Sequence, residues 1–463
     1  MNSITALAVA ASLSGAAHAQ LAPELVEQSN TQILVEHIGT QPAVIRPGFF
    51  GPTPNIASPV SIRGRLHFID QNDAIYRAGG NGKGQIKPML RLSDELGPKV
   101  GQPPEGLDLN NRQAILNVSA GKNDTHLYVM HTSNTEPVGN VPIYRLPAPL
   151  SGECFSVGNI CDDLFRISPT EYQVLTEYRL RGGELIEPRM IATFEAQSGP
   201  THHGGGMLTL QDGRILYATG DALYFGNEGR AAAQDIDEIT SKLLIIDPQD
   251  GSFEVAAVGL RNVQRLMLDD DGKTLGLADI GGVTAEEINF ASLVDIVDTS
   301  EVENFGWGRN SDGLAREGTF YVGEGIAGVG FSEPPALGAA PIPEAGFIQP
   351  YAEYGRDDKE DPNGGRASSG PVTSGRSFAH IAALWSDLAS GKAYFSLDAL
   401  DQQVTPVYLA TLVNENGERF GGFNSFAGLF RTDPRMFRFP NGTAGVILEA
   451  TGDFYRLTEI GNN

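Results

Sequence analysis

The sequence predicts an all-β chain, and three observations carry that reading. Windows with apolar residues at helical spacing are scarce. Short alternating runs recur, each followed by a Gly-containing turn and a second alternating run. The same local grammar returns at Leu208 to Asp221 (LTLQDGRILYATGD), Met267 to Gly281 (MLDDDGKTLGLADIG) and Phe437 to Asp453 (FRFPNGTAGVILEATGD). Each places Asp-Gly or Asn-Gly between two apolar strands, which predicts tight hairpins with positive φ at both central residues. A looser fourth copy runs from Asn117 to Ser133, NVSAGKNDTHLYVMHTS.

The Asp212 and Asp271 turns stand about 59 residues apart, the length of one four-stranded sheet with a loop. Sheets repeated at this period stack around an axis, because none of them buries both faces alone. A body of about 405 residues divided by six leaves about 67 per sheet. The expectation is a six-bladed β-propeller with four-stranded antiparallel blades over residues 60–460. Residues 20–59 read as an N-terminal extension with Pro-rich loops and no repeat grammar. Tyr321 to Gly365, rich in Gly and Pro, reads as an inter-blade insertion that walls a pocket.

Composition bounds the function. The 463 residues carry 57 Asp and Glu against 33 Lys and Arg, a net charge of −24. That sign excludes a nucleic-acid binder, which needs clustered Lys and Arg, and disfavours anionic membranes. It suits a soluble protein and a surface that attracts divalent cations. At 41% hydrophobic residues the chain has material for a core.

The first nineteen residues, MNSITALAVAASLSGAAHA, contain no charged side chain and end in an Ala-His-Ala cleavage pattern. They predict a signal peptide over 1–19 and a periplasmic or secreted protein. No later window is long and apolar enough to span a bilayer. In an exported protein the two cysteines, Cys154 and Cys161, predict a disulfide closing a small loop.

Three segments carry candidate chemistry. In Thr201-His202-His203-Gly204-Gly205-Gly206 a histidine able to act as a base precedes glycines that admit a ligand. Gly259-Leu260-Arg261-Asn262-Val263-Gln264 puts Asn262 and Gln264 on one face of an extended segment beside Arg261, which suits an anionic or quinonoid ligand. Ala278-Asp279-Ile280-Gly281-Gly282, with Glu286-Glu287-Ile288-Asn289 after it, offers carbonyl and carboxylate oxygens of the kind calcium prefers.

Taken in order, HHGGGMLTLQDGRILYATGD, SKLLIIDPQDG, GLRNVQ, ADIGGVTAEEIN and NFGWG resemble the soluble glucose and sorbosone dehydrogenase family of six-bladed propellers. The resemblance implies oxidation of an aldose by pyrroloquinoline quinone with calcium, and an electron acceptor that reoxidises the quinone. It implies His203 as the base at the sugar hydroxyl and Arg261 against the quinone oxygens. Asn262, Gln264 and, in NNRQAILNV, Gln113 would line the cofactor pocket, and the Gly281 and Gly282 main chain would hold calcium. The chain departs from the pattern where Asp398, in AYFSLDALDQQ, replaces an expected Lys that would anchor the anionic cofactor. Arg431, Arg435 and Arg438 lie nearby without a fixed register. Two other readings follow from that departure: a binding propeller without redox chemistry, and a calcium-dependent lactone or ester hydrolase.

Overall fold

The structure, a computed structural model, describes residues 26–41, 46–48, 51–53, 56–70, 74–79, 87–91, 115–133, 136–145, 171–196, 203–221, 232–281, 285–309, 315–317, 320–322, 347–355 and 368–461. Alternating apolar residues give short strands, and the strands form antiparallel meanders in chain order. The first joins Ile56–Ile62, Arg65–Asp70, Ala74–Arg77 and Lys87–Arg91. The second joins Ile115–Ala120, His126–Ser133, Glu171–Arg181 and Glu184–Ala196. The third joins Gly204–Thr209, Ile215–Thr219, Leu243–Ile246 and Phe253–Val258, and the fourth joins Val263–Leu268, Thr274–Asp279, Ala285–Ser292 and Ala352–Gly355.

Two further meanders follow, Ala383–Ser386 with Ala393–Ser396 and Val407–Asn414, then Pro434–Arg438 with Ala444–Leu448 and Asp453–Ile460. They do not remain separate. Val26–Thr40 runs antiparallel to Asp453–Ile460 and parallel to Val407–Asn414, merging both into one eight-stranded sheet. The segment expected as a loop-rich extension thus supplies a fifteen-residue strand. The second and third meanders likewise gain a short parallel edge strand, so the sheets depart from the expected uniform four antiparallel strands.

Among the described residues the apolar side chains form six clusters, each between neighbouring meanders. One of these packs Leu66 and Phe68 of the first meander against Phe437, Ile447 and Phe454 of the last. The first strands touch in succession from Ala383–Ser386 through Pro434–Arg438, Ile56–Ile62, Ile115–Ala120 and Gly204–Thr209 to Val263–Leu268. This arrangement is all-β and propeller-like, with the core lying between sheets that face one another.

The hairpins occur where Asp-Gly and Asn-Gly predict them, with a different turn. Gly213 and Gly442 have φ of 102° and 84°, whereas the preceding Asp212 and Asn441 are not in the positive-φ region. The Leu210 amide donates to the Arg214 carbonyl, and Phe439 does so to Thr443, each enclosing three residues. The acidic or amide side chain instead accepts an N–H two residues on, Arg214 at 2.9 Å and Thr443 at 3.1 Å. These are three-residue loops closed by a left-handed Gly.

Candidate functional site

The residues singled out from the sequence gather where first strands begin. His203, half-buried, immediately precedes Gly204–Thr209. Its carbonyl accepts from Gln173 Nε2 at 3.0 Å, and Gln173 Oε1 accepts the Tyr217 hydroxyl at 2.6 Å. The next amide, Gly204 N–H, donates to Asn262 Oδ1 at 3.1 Å. Asn262 precedes Val263–Leu268 of the neighbouring meander and is 1% exposed. The histidine loop is therefore held from both flanking sheets. A Cβ at Gly204 would lie 2.4 Å from the Ala218 carbonyl oxygen, so the close approach requires glycine here.

Arg261 is buried and occupied. Its Nη1 donates to the Ile280 carbonyl at 2.7 Å and also to the Gly281 carbonyl. Its Nε lies 3.5 Å from Asp221 Oδ2, and its guanidinium sits 5.3 Å from the centre of the Trp307 ring. Asp279 fixes the backbone beneath it. Its two carboxylate oxygens accept the Arg261 and Asn262 amides, each at 2.7 Å. Burial outweighs those two bonds and pushes the Asp279 carboxyl up to about 7.

Through Nη1, Arg261 clamps the 279–281 turn, and the Gly281 carbonyl, expected to hold calcium, accepts that guanidinium. Among the described residues no group of three or more His, Cys, Asp or Glu could hold a metal. Glu286 and Glu287 lie in the strand Ala285–Ser292 and not in a loop around Gly281.

Gln264 faces a cation from the last meander. Arg435 Nη1 donates to Gln264 Oε1 at 2.5 Å, and its Nε and Nη2 bind Glu449 Oε2 at 3.1 and 2.9 Å. Both members of that ion pair are buried, and burial raises the Glu449 carboxyl despite Arg435 beside it. Arg431 instead pairs with Asp433 at 2.7 Å and Arg438 with Asp270 at 2.8 Å. Asp398 is an exposed turn residue after Ala393–Ser396 whose carbonyl accepts the Tyr351 hydroxyl at 2.7 Å.

Sequence reading missed Gln173, Tyr217, Asp221 and Glu449. Asp221 had a visible signal, since it closes the motif ending ATGD, but the other three sit in ordinary strand patterns. Gln113, Gly282, Cys154, Cys161 and the segment 1–19 lie outside the described residues.

The fold is of a recognisable kind. The chain superposes on soluble sugar dehydrogenases along nearly its whole length. The aldose sugar dehydrogenase of Escherichia coli in its apo form aligns with TM-score 0.55 and 14% identity, covering 93% of this chain and 100% of that one. The PQQ-bound aldose sugar dehydrogenase of Streptomyces coelicolor aligns with TM-score 0.52 and 16% identity, over 92% and 98%. A glucose dehydrogenase aligns with TM-score 0.51 and 14% identity, over 92% and 99%. At such identities the likeness establishes a shared fold. No protein-family model and no curated protein matches the sequence.

Proposed function

We propose that this protein is a six-bladed, sugar dehydrogenase-like oxidoreductase that removes hydride from the hydroxyl-bearing carbon of an aldose while a base takes the hydroxyl proton. One observation carries the reading: hydrogen bonds link the His203 loop to Asn262 and Gln264 to Arg435, gathering a base, two amides and a buried guanidinium. The six inter-sheet clusters support six blades around that point.

Pyrroloquinoline quinone fits the described side chains in kind, because Asn262 and Gln264 offer amides and Arg435 supplies positive charge for a carboxylate. When bound, the quinone supplies the two-electron acceptor. His203 takes the hydroxyl proton at an imidazole nitrogen, its loop fixed by Gln173 and Asn262. Arg261 positions the 279–281 turn and Asn262. Calcium at the Gly281 carbonyl would share that oxygen with the Arg261 guanidinium, and no step is assigned to it. Export through residues 1–19 and a Cys154–Cys161 bridge complete the proposal.

The test is reconstitution of purified protein with pyrroloquinoline quinone, with and without Ca²⁺, followed by dye reduction with a panel of aldoses. A quinone absorbance change and sugar-dependent reduction are expected. His203→Ala should abolish turnover and keep the absorbance change. An unaltered spectrum together with an unaltered melting temperature refutes the reading. The enclosed state of Arg261 favours a second reading, a binding propeller without turnover, which predicts sugar binding by calorimetry and no dye reduction.

A further inference from the structure

A cavity of about 570 Å³ lies among the first strands, lined by Val60, Asn117, Met207, Arg265 and Arg438 from five different meanders. It extends to the hairpin turns at Asp269–Gly272 and Phe439–Gly442. His203 and Asn262 stand at the opposite ends of these same strands. The cavity lies toward the hairpin ends and adjoins the candidate site, since Asn117 in its wall donates through Nδ2 to the Gly205 carbonyl.

Arg265 dominates its charge. The side chain is only 9% exposed, and its one hydrogen bond runs from Nη2 to the Met436 carbonyl at 3.1 Å. A guanidinium carries five N–H donors, so most of its capacity is unused. Among the described residues no carboxylate lies within ion-pair distance of it. Its charged neighbour is Arg435, of the same sign, whose own partner is Glu449. A buried charge without a counter-ion is costly, and a hydrated cavity beside it can admit one.

The walls limit what that counter-ion is. Arg438 is paired with Asp270, Asp269 Oδ1 accepts the Lys273 and Thr274 amides, and Asp271 lies 3.9 Å from Lys273. Arg438 and Lys273 thus offset two of the three rim carboxylates, and Arg265 is left to offer a single positive charge to the cavity. Met207, Leu266 and Phe439 line the interior with apolar surface. A flat monoanion with a short apolar body matches both features, because a carboxylate accepts two parallel N–H bonds from a guanidinium.

We propose that the axial cavity is a binding site for a small organic carboxylate, held by Arg265 and distinct in its anchoring residue from the site around His203. Calorimetric titration of the full chain with propionate, without quinone and at constant ionic strength in a non-carboxylate buffer, tests it independently of the oxidoreductase reading. One-site binding is expected. Arg265→Met should weaken it at least about tenfold, equivalent to one charged hydrogen-bond pair of roughly 1.4 kcal/mol. Asp271→Asn, on the rim, should leave binding intact or tighten it. If Arg265→Met does not fold, Arg265→Lys carries the test, keeping the charge and losing the fork, and weaker binding is again expected. Absence of propionate binding, equal binding by the Arg265 variant that folds, or tighter binding of inorganic phosphate than propionate overturns the assignment.

Discussion

Replacing Asp279 by Asn probes the clamp beneath the candidate site. The wild-type carboxyl is 4% exposed and accepts two amides at 2.7 Å. Its folded value is near 7, against about 3.9 for a solvated aspartate. Below about pH 4 both folded and unfolded chains hold the proton, so the group makes no contribution there. Between about 4 and 7 the unfolded chain releases a proton that the folded chain retains, and stability falls as pH rises. Above about 7 both are ionised and the slope ends. Roughly three pH units at about 1.4 kcal/mol each amount to ~4 kcal/mol lost across that window. Asn does not titrate, but it turns one acceptor into an amino group facing an amide, which costs about 1–3 kcal/mol at every pH. Urea unfolding at several pH values should therefore show Asp279→Asn less stable than wild type at low pH. The gap should close, or reverse, toward pH 8. A difference between the two proteins that stays constant from pH 4.5 to 8 refutes the reasoning and means that Asp279 is ionised throughout, locked by Arg261.

Four other outcomes are expected. Gly259 has φ +73°, and a Cβ there would lie 2.6 Å from both Asn304 Oδ1 and Gln234 Nε2, so Gly259→Ala should lower the melting temperature by several degrees, with a loss above about 2 kcal/mol. Lys242 is fully buried and donates to the carbonyls of Ala232, Ala233 and Thr240, and burial lowers its pKa to about 7. Because an unfolded lysine holds its proton to about 10.4, stability should rise from pH 7 to 10, and Lys242→Met should remove that rise in urea titrations. Arg435→Met should weaken quinone binding about tenfold or more in fluorescence titration, whereas Glu449→Gln, which leaves Arg435 its full charge, should strengthen it. Deleting residues 26–40 should abolish a single cooperative unfolding transition, detected by divergence of fluorescence and circular dichroism melts.

Local chemistry made much of the fold readable. The Asp212, Asp271 and Asn441 hairpins and the looser copy from Asn117 to Ser133 all appear as paired strands, because turn residues and alternation act within about a dozen positions. Val26–Thr40 was unreadable for the opposite reason: its partners lie at the far end of the chain, and nothing in a strand's own pattern names its neighbour. At the site, the His203 and Asn262 motifs were visible and do meet. What the sequence could not express was prior engagement. Arg261 is flagged as a ligand residue by type, and only packing reveals that Asp221, two carbonyls and Trp307 already engage it. The last-meander cation was likewise undecided among Arg431, Arg435 and Arg438, since choosing requires knowing that Arg438 pairs with the distant Asp270 and that Arg435 reaches Gln264.

The strand Val26–Thr40 also governs the order in which the molecule can be completed. Its ion pair between Glu36 and Arg456 spans 420 residues of sequence. Such a contact carries a large loop-closure entropy and forms late, after local hairpins have assembled. A nascent chain can build its early sheets while Asp453–Ile460 is still unmade, yet the seam that Val26–Thr40 makes between Val407–Asn414 and Asp453–Ile460 stays open until then. Tension, proteolysis or mutation at this one seam therefore acts as a latch on the whole barrel of sheets, independent of how stable each hairpin is alone.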